Sequence, residues 1–221
     1  TAEGNEASEK LVEAHRLREE LDYDFIKEEI NELVKGISDG AERTSEIVQG
    51  LRSFSRLDED AVKMADVSEG IASTLVLLRT KLNGSINIEE DYDPDIQEIE
   101  CYPGKLNQVY MNILNNAIYA VDHKNYEGSE QPTISIMTTK KGDEVEVHIK
   151  DNGLGMDEET QKKVFDPFFT TKDVGEGTGL GMSIVYKIID KHGGRVNVKS
   201  ELGVGTDFVI TLPMRQPKES E

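Results

Sequence analysis

A seam of apolar residues that repeats every seven positions runs through residues 25–55 and constrains the fold more than any other pattern in the chain. It steps by alternating threes and fours for about four heptads, which is longer than a surface helix on a compact domain usually needs. Glycines at positions 36, 40 and 50 each disfavour the helix by roughly 1 kcal/mol against alanine, so packing must stabilise it. We expect a long coiled-coil or bundle helix that forms a homodimer; the alternative is a helix lying on its own domain. The seam comprises Ile26, Ile30, Leu33, Ile37, Ala41, Thr44, Val48, Leu51 and Ser55, widened by Ile47 and Phe54.

Composition limits the partners of the chain. Its 221 residues suffice for one well-packed domain with an added element. A net charge of -19 argues against nucleic acid and against direct contact with an anionic membrane surface. Cys101 is the only cysteine, which excludes an intrachain disulfide and suits the cytoplasm. The chain opens at Thr1 rather than Met, so we interpret it as part of a longer protein, and a membrane anchor elsewhere in that protein is compatible with this interpretation.

A second region begins where the seam ends. We predict a helical dimerisation region at residues 1–60, a compact domain at 61–215 and a disordered tail at 216–221. Hairpin strands mixed with helices, rather than strict alternation, predict an α+β fold, a two-layer sandwich of helices on a sheet. Predicted helices cover 67–82, 103–123, 158–164 and 180–192, and predicted strands cover 85–90, 96–101, 133–139, 144–151, 195–200 and 206–212.

Residues 112–117 read Asn-Ile-Leu-Asn-Asn-Ala within the helix that Pro103 opens. Asn112 and Asn116 lie four apart and therefore share one helix face. Carboxamide oxygens are hard ligands suited to Mg²⁺, which also shares the phosphates of a nucleotide. Asn115 is a rival ligand, and the simpler interpretation of such a pair is a solvated helix face.

Two glycine-rich segments follow. Residues 151–156 read Asp-Asn-Gly-Leu-Gly-Met after a strand, so a buried Asp151 could accept from an exocyclic amine, although Asp-Asn-Gly is also an ordinary turn. Residues 177–181 read Gly-Thr-Gly-Leu-Gly before a helix whose N-terminus can face phosphates. The spacing fits neither a Walker P-loop nor a Rossmann fingerprint. Lys172 ends the intervening block 165–172, Phe-Asp-Pro-Phe-Phe-Thr-Thr-Lys, and could add a charge to the phosphates.

In their order and spacing, the four blocks resemble the N, G1, F and G2 boxes of sensor histidine kinases, over about residues 25–215. The resemblance implies a Bergerat-type fold of the GHKL class, with ATP held between the N-box helix and a lid. It implies that Asn116 binds Mg²⁺ and that Asp151 binds the adenine amino group. Thr170-Thr171-Lys172 and Tyr119-Ala120 are most similar to the nitrogen-regulator branch of the family. The implied ATP site comprises Asn112, Asn116, Tyr119, Ala120, Asp151, Gly153, Gly155, Met156, Phe165, Lys172, Gly177, Thr178, Gly179, Leu180, Gly181, Met182 and Thr206.

The chain departs from the family at the phosphoacceptor. The family carries a His followed by an acidic residue and, within a few positions, a Pro; the nearest candidate in this chain, His15, precedes Arg16 and meets no Pro until Pro94. We expect the acceptor to lie outside the chain. The implied activity is transfer of the γ-phosphoryl of Mg-ATP to that His, and then to an Asp of a response regulator receiver domain.

Two other functions stay open. Asn112 stands where related ATPases carry a Glu that activates water, and an amide is no general base at neutral pH. Slow hydrolysis follows, which disfavours an ATPase clamp. A nucleotide-sensing dimer scaffold without catalysis is the remaining alternative.

Overall fold

The computed structural model describes residues 13, 16, 22–54, 61–82, 84–96, 98–172 and 177–216. They fall into two units that divide between Val48 and Gln49. His15, the end of the predicted dimerisation region at residues 55–60 and the last five residues of the predicted tail lie outside the described residues. Gln216 is described, and its amide groups bond to Glu100, with the side-chain Nε2 donating to the Glu100 carbonyl at 2.8 Å.

The long helix predicted from the heptad seam is present as α1, Tyr23–Phe54. Its apolar side chains between Phe25 and Ile37 are exposed, with 45% to 72% of each accessible. A helix with such a stripe is stabilised by packing against a partner. The homodimer therefore stays a prediction, and its motivation is this uncovered stripe.

A five-stranded mixed sheet forms the base of the second unit, in the order β2-β4-β5-β7-β6. Strands β2 and β4 are parallel, and every other neighbouring pair in this sheet is antiparallel. A separate antiparallel pair joins β1 to β3. The strands are β1 Lys63–Ala65, β2 Asn87–Asp91, β3 Ile99–Cys101, β4 Thr133–Lys141, β5 Glu144–Asp151, β6 Arg195–Glu201 and β7 Gly205–Pro213.

Helices cover one face of this sheet. They are α2 Val67–Leu82, α3 Pro103–Asp122, α4 Glu158–Lys163 and α5 Gly181–Lys191. Helix α3 is central, since it packs against α2, α5 and strands β4, β5 and β7. The core between the layers includes Tyr110, Ile113, Ile136, Ile149 and Ile210, each at most 1% exposed. The α+β sandwich predicted from the sequence is confirmed.

Local chemistry explains the helix boundaries. Pro103 occupies the first turn of α3, where its missing N–H costs no hydrogen bond. Asp66 precedes α2 and accepts from the Ser68 amide at 2.8 Å. Gly70 lets α2 approach α3, because a Cβ there would lie 2.8 Å from the Asn107 side-chain oxygen.

Two predicted strands start later than the pattern indicated, and one strand was missed. The amides of Ser85 and Ile86 bond to the Leu82 carbonyl, which ends α2 and keeps both residues out of β2. Ile96 similarly closes a turn onto Asp93 before β3 begins. Strand β1 is only three residues long, too short to produce a recognisable alternation. Within the described part of the chain, no helix is long and apolar enough to cross a membrane.

Candidate nucleotide site

A cavity of about 310 Å³ opens between α3, the β5–α4 segment and the N-terminus of α5. Fourteen of the seventeen predicted site residues line it. They are Asn112, Asn116, Tyr119, Ala120, Asp151, Gly155, Met156, Lys172, Gly177, Thr178, Gly179, Gly181, Met182 and Thr206.

Three predicted residues do not line the cavity. Phe165 is partly buried and packs against the core beside Phe208, with ring centroids 6.5 Å apart. Leu180 is the N-cap of α5. Gly153 packs against α3, where a Cβ would lie 2.4 Å from the Ala120 carbonyl carbon. Only glycine allows this approach, so Gly153 shapes the cavity without facing it.

Asp151 lies at the end of β5 as a buried carboxyl group, with 3% of the residue exposed. Its Oδ1 accepts from the Gly153 amide at 2.9 Å. Burial raises the pKa of this carboxyl to about 6, opposed by the backbone amides of Gly153 and Thr206 and by the charge of Lys124. The group is therefore ionised at neutral pH and can accept a hydrogen bond from a ligand amine.

The loop after Asp151 is tied to the helix layer and to the β6–β7 hairpin. Its Leu154 amide donates to the Ala120 carbonyl at 3.1 Å. Gly155 has a φ of +65°, and a Cβ there would lie 1.9 Å from the Glu201 carbonyl oxygen. Met156 donates its amide to the Ser200 hydroxyl at 2.8 Å. These contacts fix the backbone of the loop at the cavity wall, where a ligand ring can pack against it.

The three asparagines of α3 differ in their partners. Asn115 is engaged within the fold, because its amide nitrogen donates to the Met111 carbonyl and its oxygen accepts from Lys81 at 2.7 Å. Asn116 presents its oxygen to the Lys172 ammonium at 3.1 Å. Asn112 has a buried Nδ2 without a hydrogen-bond partner among the described residues. A buried donor of this kind is costly unless a ligand atom accepts from it.

Lys172 does not point to an open phosphate position in this structure. Its ammonium lies 4.2 Å from the Tyr119 ring centre, in addition to its bond with Asn116. The Tyr119 ring in turn stacks on His123 at 3.9 Å. The Asn116 oxygen, which was predicted to bind a metal, is thus oriented toward a positive charge.

The N-terminus of α5 faces the cavity. Its N-cap residue, Leu180, makes no side-chain capping hydrogen bond, and the Leu180 amide donates to the Thr178 hydroxyl at 3.4 Å. Gly179, with a φ of +66°, passes over Phe168, whose amide donates to the Gly179 carbonyl at 2.8 Å. The amides of the first turn and the positive end of the helix dipole form a position for anionic oxygens.

The sequence interpretation missed several lining residues. Thr170 and Thr171 lie in the F-box block beside Lys172, and Phe208 shares a face of β7 with Thr206. The motif block and the strand alternation could therefore have identified these three residues. Thr160 and Val164 come from a single turn of helix that carries no site pattern. The full set is Asn115, Leu154, Thr160, Val164, Phe169, Thr170, Thr171 and Phe208, with Asn115 having been weighed only as a rival ligand.

Comparison with known proteins agrees with this geometry. Residues 101–216 match the family described as histidine kinase-, DNA gyrase B-, and HSP90-like ATPase. The chain is 40% identical over 154 residues to sporulation kinase E of Bacillus subtilis, covering 69% of this chain and 20% of that protein. It is 31% identical over 188 residues to sensor kinase CckA of Brucella abortus, covering 81% of this chain and 20% of that protein. It is 34% identical over 172 residues to the histidine-protein kinase AtoS of Escherichia coli, covering 77% of this chain and 27% of that protein.

The chain therefore spans about a fifth to a quarter of the length of these relatives. Among solved structures, the nucleotide-free catalytic domain of histidine kinase ThkA superimposes with a TM-score of 0.61 at 30% identity, covering 71% of this chain and 97% of that one. The resemblance to histidine kinases is thereby confirmed. The chain belongs to the family of histidine kinase-, DNA gyrase B- and HSP90-like ATPases, as a catalytic domain of the sensor histidine kinase type.

Proposed function

We propose that the chain binds Mg-ATP in the cavity beside α3 and transfers the γ-phosphoryl to a histidine outside residues 1–221. The observation that carries this proposal is the pairing of a buried, ionised Asp151 at one end of the cavity with asparagine amides and a helix N-terminus at the other. An adenine amine suits the first end and a chain of phosphates suits the second.

Asn116 is the residue that would hold the magnesium ion, since its oxygen faces a cation in this structure. When bound, the ion supplies charge neutralisation for the phosphate oxygens. The Asn112 amide, which has no partner in the described part of the chain, can donate to a phosphate oxygen. Lys172 must leave Asn116 for the ion to bind, and its freed ammonium can then contact a phosphate.

Phosphoryl transfer to imidazole needs little further chemistry from this domain. A neutral histidine is already nucleophilic, and catalysis of phosphoryl transfer is mainly positioning and charge stabilisation. In the proposed function, α1 contributes to a homodimer through its exposed apolar stripe, and the phosphohistidine passes its phosphoryl group to the Asp of a response regulator. This part of the proposal rests on the family.

The test mixes the chain with radiolabelled Mg-ATP and a separate fragment of the whole protein that supplies the acceptor histidine. We expect acid-labile, base-stable label on the added fragment. Label on this chain instead would assign the acceptor to one of its own histidines, His15 first. Magnesium-dependent phosphate release without an acceptor would favour an ATPase clamp, and nucleotide binding without label would favour a sensing scaffold.

A further inference from the structure

Lys124 lies just beyond the C-terminal end of α3, behind the cavity wall that carries Asp151. Its side chain is only 14% exposed. The ammonium donates to the Asn152 carbonyl at 2.7 Å and pairs with Glu130 at 3.2 Å. It also lies 5.1 Å from the centre of the Tyr126 ring. A lysine this enclosed, with three partners, is held in one place rather than solvated.

Asn152, the residue that Lys124 holds, connects Asp151 to Gly153. Its side-chain oxygen accepts from the Thr133 amide at 2.8 Å and from the Tyr126 hydroxyl at 3.1 Å. Its backbone amide also donates to the Thr133 carbonyl. The turn that presents the Asp151 carboxylate is therefore fixed from its outer side, and Lys124 is the charged member of that support.

We propose that Lys124 is a positioning residue for nucleotide recognition. Its ammonium holds the turn behind Asp151 in place and balances the charge of the Asp151 carboxylate. That carboxylate accepts a hydrogen bond from the amine of an adenine base. This inference rests on the proposed function. It adds a residue outside the four motif blocks, on a segment that the cavity lining does not include.

The charges around Asp151 support this role. The strands on either side place Ile134 and Thr206 opposite it, neither of which is charged. From α3, the uncharged Ala120 contacts the turn at Gly153, and Tyr126, beyond α3, donates its hydroxyl to the Asn152 side-chain oxygen. Burial raises the pKa of Asp151, the backbone amides of Gly153 and Thr206 lower it, and Lys124 is the cation that lowers it further.

The neighbouring acids act in the other direction. Glu130 neutralises part of the Lys124 charge through their ion pair. Burial raises the pKa of Tyr126, and the charges of Asp151, Glu130 and Asp122 raise it further. Changes at Lys124 and Glu130 should therefore move the titration of Asp151 oppositely, which a merely structural role would not do.

The first experiment follows the carboxyl carbon of Asp151 by NMR as a function of pH, in the complete chain without nucleotide. The wild-type midpoint is expected at about 6. Lys124→Met should move it up, because loss of an opposite charge raises a carboxyl pKa. Lys124→Arg should restore the wild-type midpoint, and Glu130→Gln should lower it.

Lys150→Met is the matched control. It removes a lysine charge from the residue next to Asp151, on the exposed face of β5. The titration midpoint of Asp151 in this variant should therefore stay near that of the wild type. An Asp151 midpoint that does not move in Lys124→Met, or that moves equally in Lys150→Met, would overturn the inference. Because no nucleotide is present, this result is independent of whether the proposed function is right.

The second experiment measures ADP affinity between pH 6 and 8.5. Because the Asp151 midpoint of Lys124→Met is expected to be the higher one, this variant should bind ADP more weakly than the wild type at pH 6, and the difference should shrink as the pH rises and vanish at about pH 8.5, where both carboxyl groups are ionised. A uniform loss at all pH values would reduce Lys124 to a structural support and refute the electrostatic role. Failure of the wild type to bind ADP would refute the proposed function instead.

Discussion

Replacing Asp151 with Asn should stabilise the fold while it weakens nucleotide binding. Burial raises the pKa of this carboxyl from 3.8 to about 6, and at about 1.4 kcal/mol per pKa unit the difference corresponds to about 3 kcal/mol. Because the pKa of Asp151 is higher in the folded state, the protonated carboxyl group contributes stability that is fully present below pH 3.8. This contribution is lost as the pH rises through 6. The ionised group therefore lowers the free energy of unfolding at neutral pH.

Asn is close in shape to the protonated carboxyl group but does not ionise. We expect Asp151→Asn to raise the free energy of unfolding by about 3 kcal/mol over the wild type at pH 7, and to leave it nearly unchanged at pH 4. Urea titrations between pH 4 and 8 measure this, followed by near-ultraviolet circular dichroism of the tyrosines. Six of the seven tyrosines lie between residues 92 and 186, so the signal reports on the sandwich rather than on α1.

Glu146→Gln serves as the control on the same strand. The Lys141 ammonium holds the pKa of Glu146 below its ordinary value. Removing the Glu146 carboxylate should therefore not raise the free energy of unfolding at pH 7. A gain in Asp151→Asn that is equal at every pH, or an absence of gain at pH 7, would show that the carboxyl is not destabilised by burial. The same variant should bind ADP about 10- to 100-fold more weakly, since a hydrogen bond to a charged group contributes about 1.5 to 3 kcal/mol.

Three further outcomes are expected from the site and its supports. Asn116→Ala should remove the magnesium-dependent part of ADP affinity, measured by calorimetry with and without Mg²⁺, whereas Asn115→Ala should retain it. Equal losses of magnesium-dependent affinity in the two variants would contradict the assignment of Asn116 as the metal ligand. Gly153→Ala should lower the free energy of unfolding by about 1 to 3 kcal/mol, because its Cβ would meet the backbone of Ala120; an unchanged urea midpoint would refute that packing. Burial lowers the pKa of His192 in the fold, so below pH 6.5 the unfolded chain takes up the proton first and the contribution of His192 to stability is lost. The wild type should therefore lose stability relative to His192→Gln as the pH falls below 6.5, and identical acid profiles of the two proteins would exclude this contribution.

The elements that the sequence predicts well are those whose local signals agree with their packing. Helix α3 begins at its proline and follows its apolar period, because propensity and burial select the same residues. The hairpin of β4 and β5 follows its alternation for the same reason. Strand β1 and the late start of β2 depend on hydrogen bonds between distant or turn residues, which no local pattern encodes.

The candidate site divides in a similar way. Its motif residues came from the resemblance, and the cavity assembles most of them. Lys172 was expected at phosphates but contacts Asn116 and Tyr119, since an ammonium group goes to the acceptor and aromatic face that packing offers. Phe165 was expected in the site but packs against the core, where its apolar ring is partly removed from water. Lys124 has no motif at all, and only the folded turn shows what it holds.

The most direct test of the account compares the affinities of ADP and inosine diphosphate for the wild-type chain at pH 7.5 with Mg²⁺. Inosine carries an oxygen where adenine carries its amine, so this position of the ring cannot donate to Asp151. We predict that ADP binds at least about 10-fold more tightly, because the inosine oxygen would face the buried carboxylate in place of a hydrogen-bond donor. Equal affinities for the two nucleotides, or binding of neither, would contradict the claim that this cavity recognises adenine through Asp151.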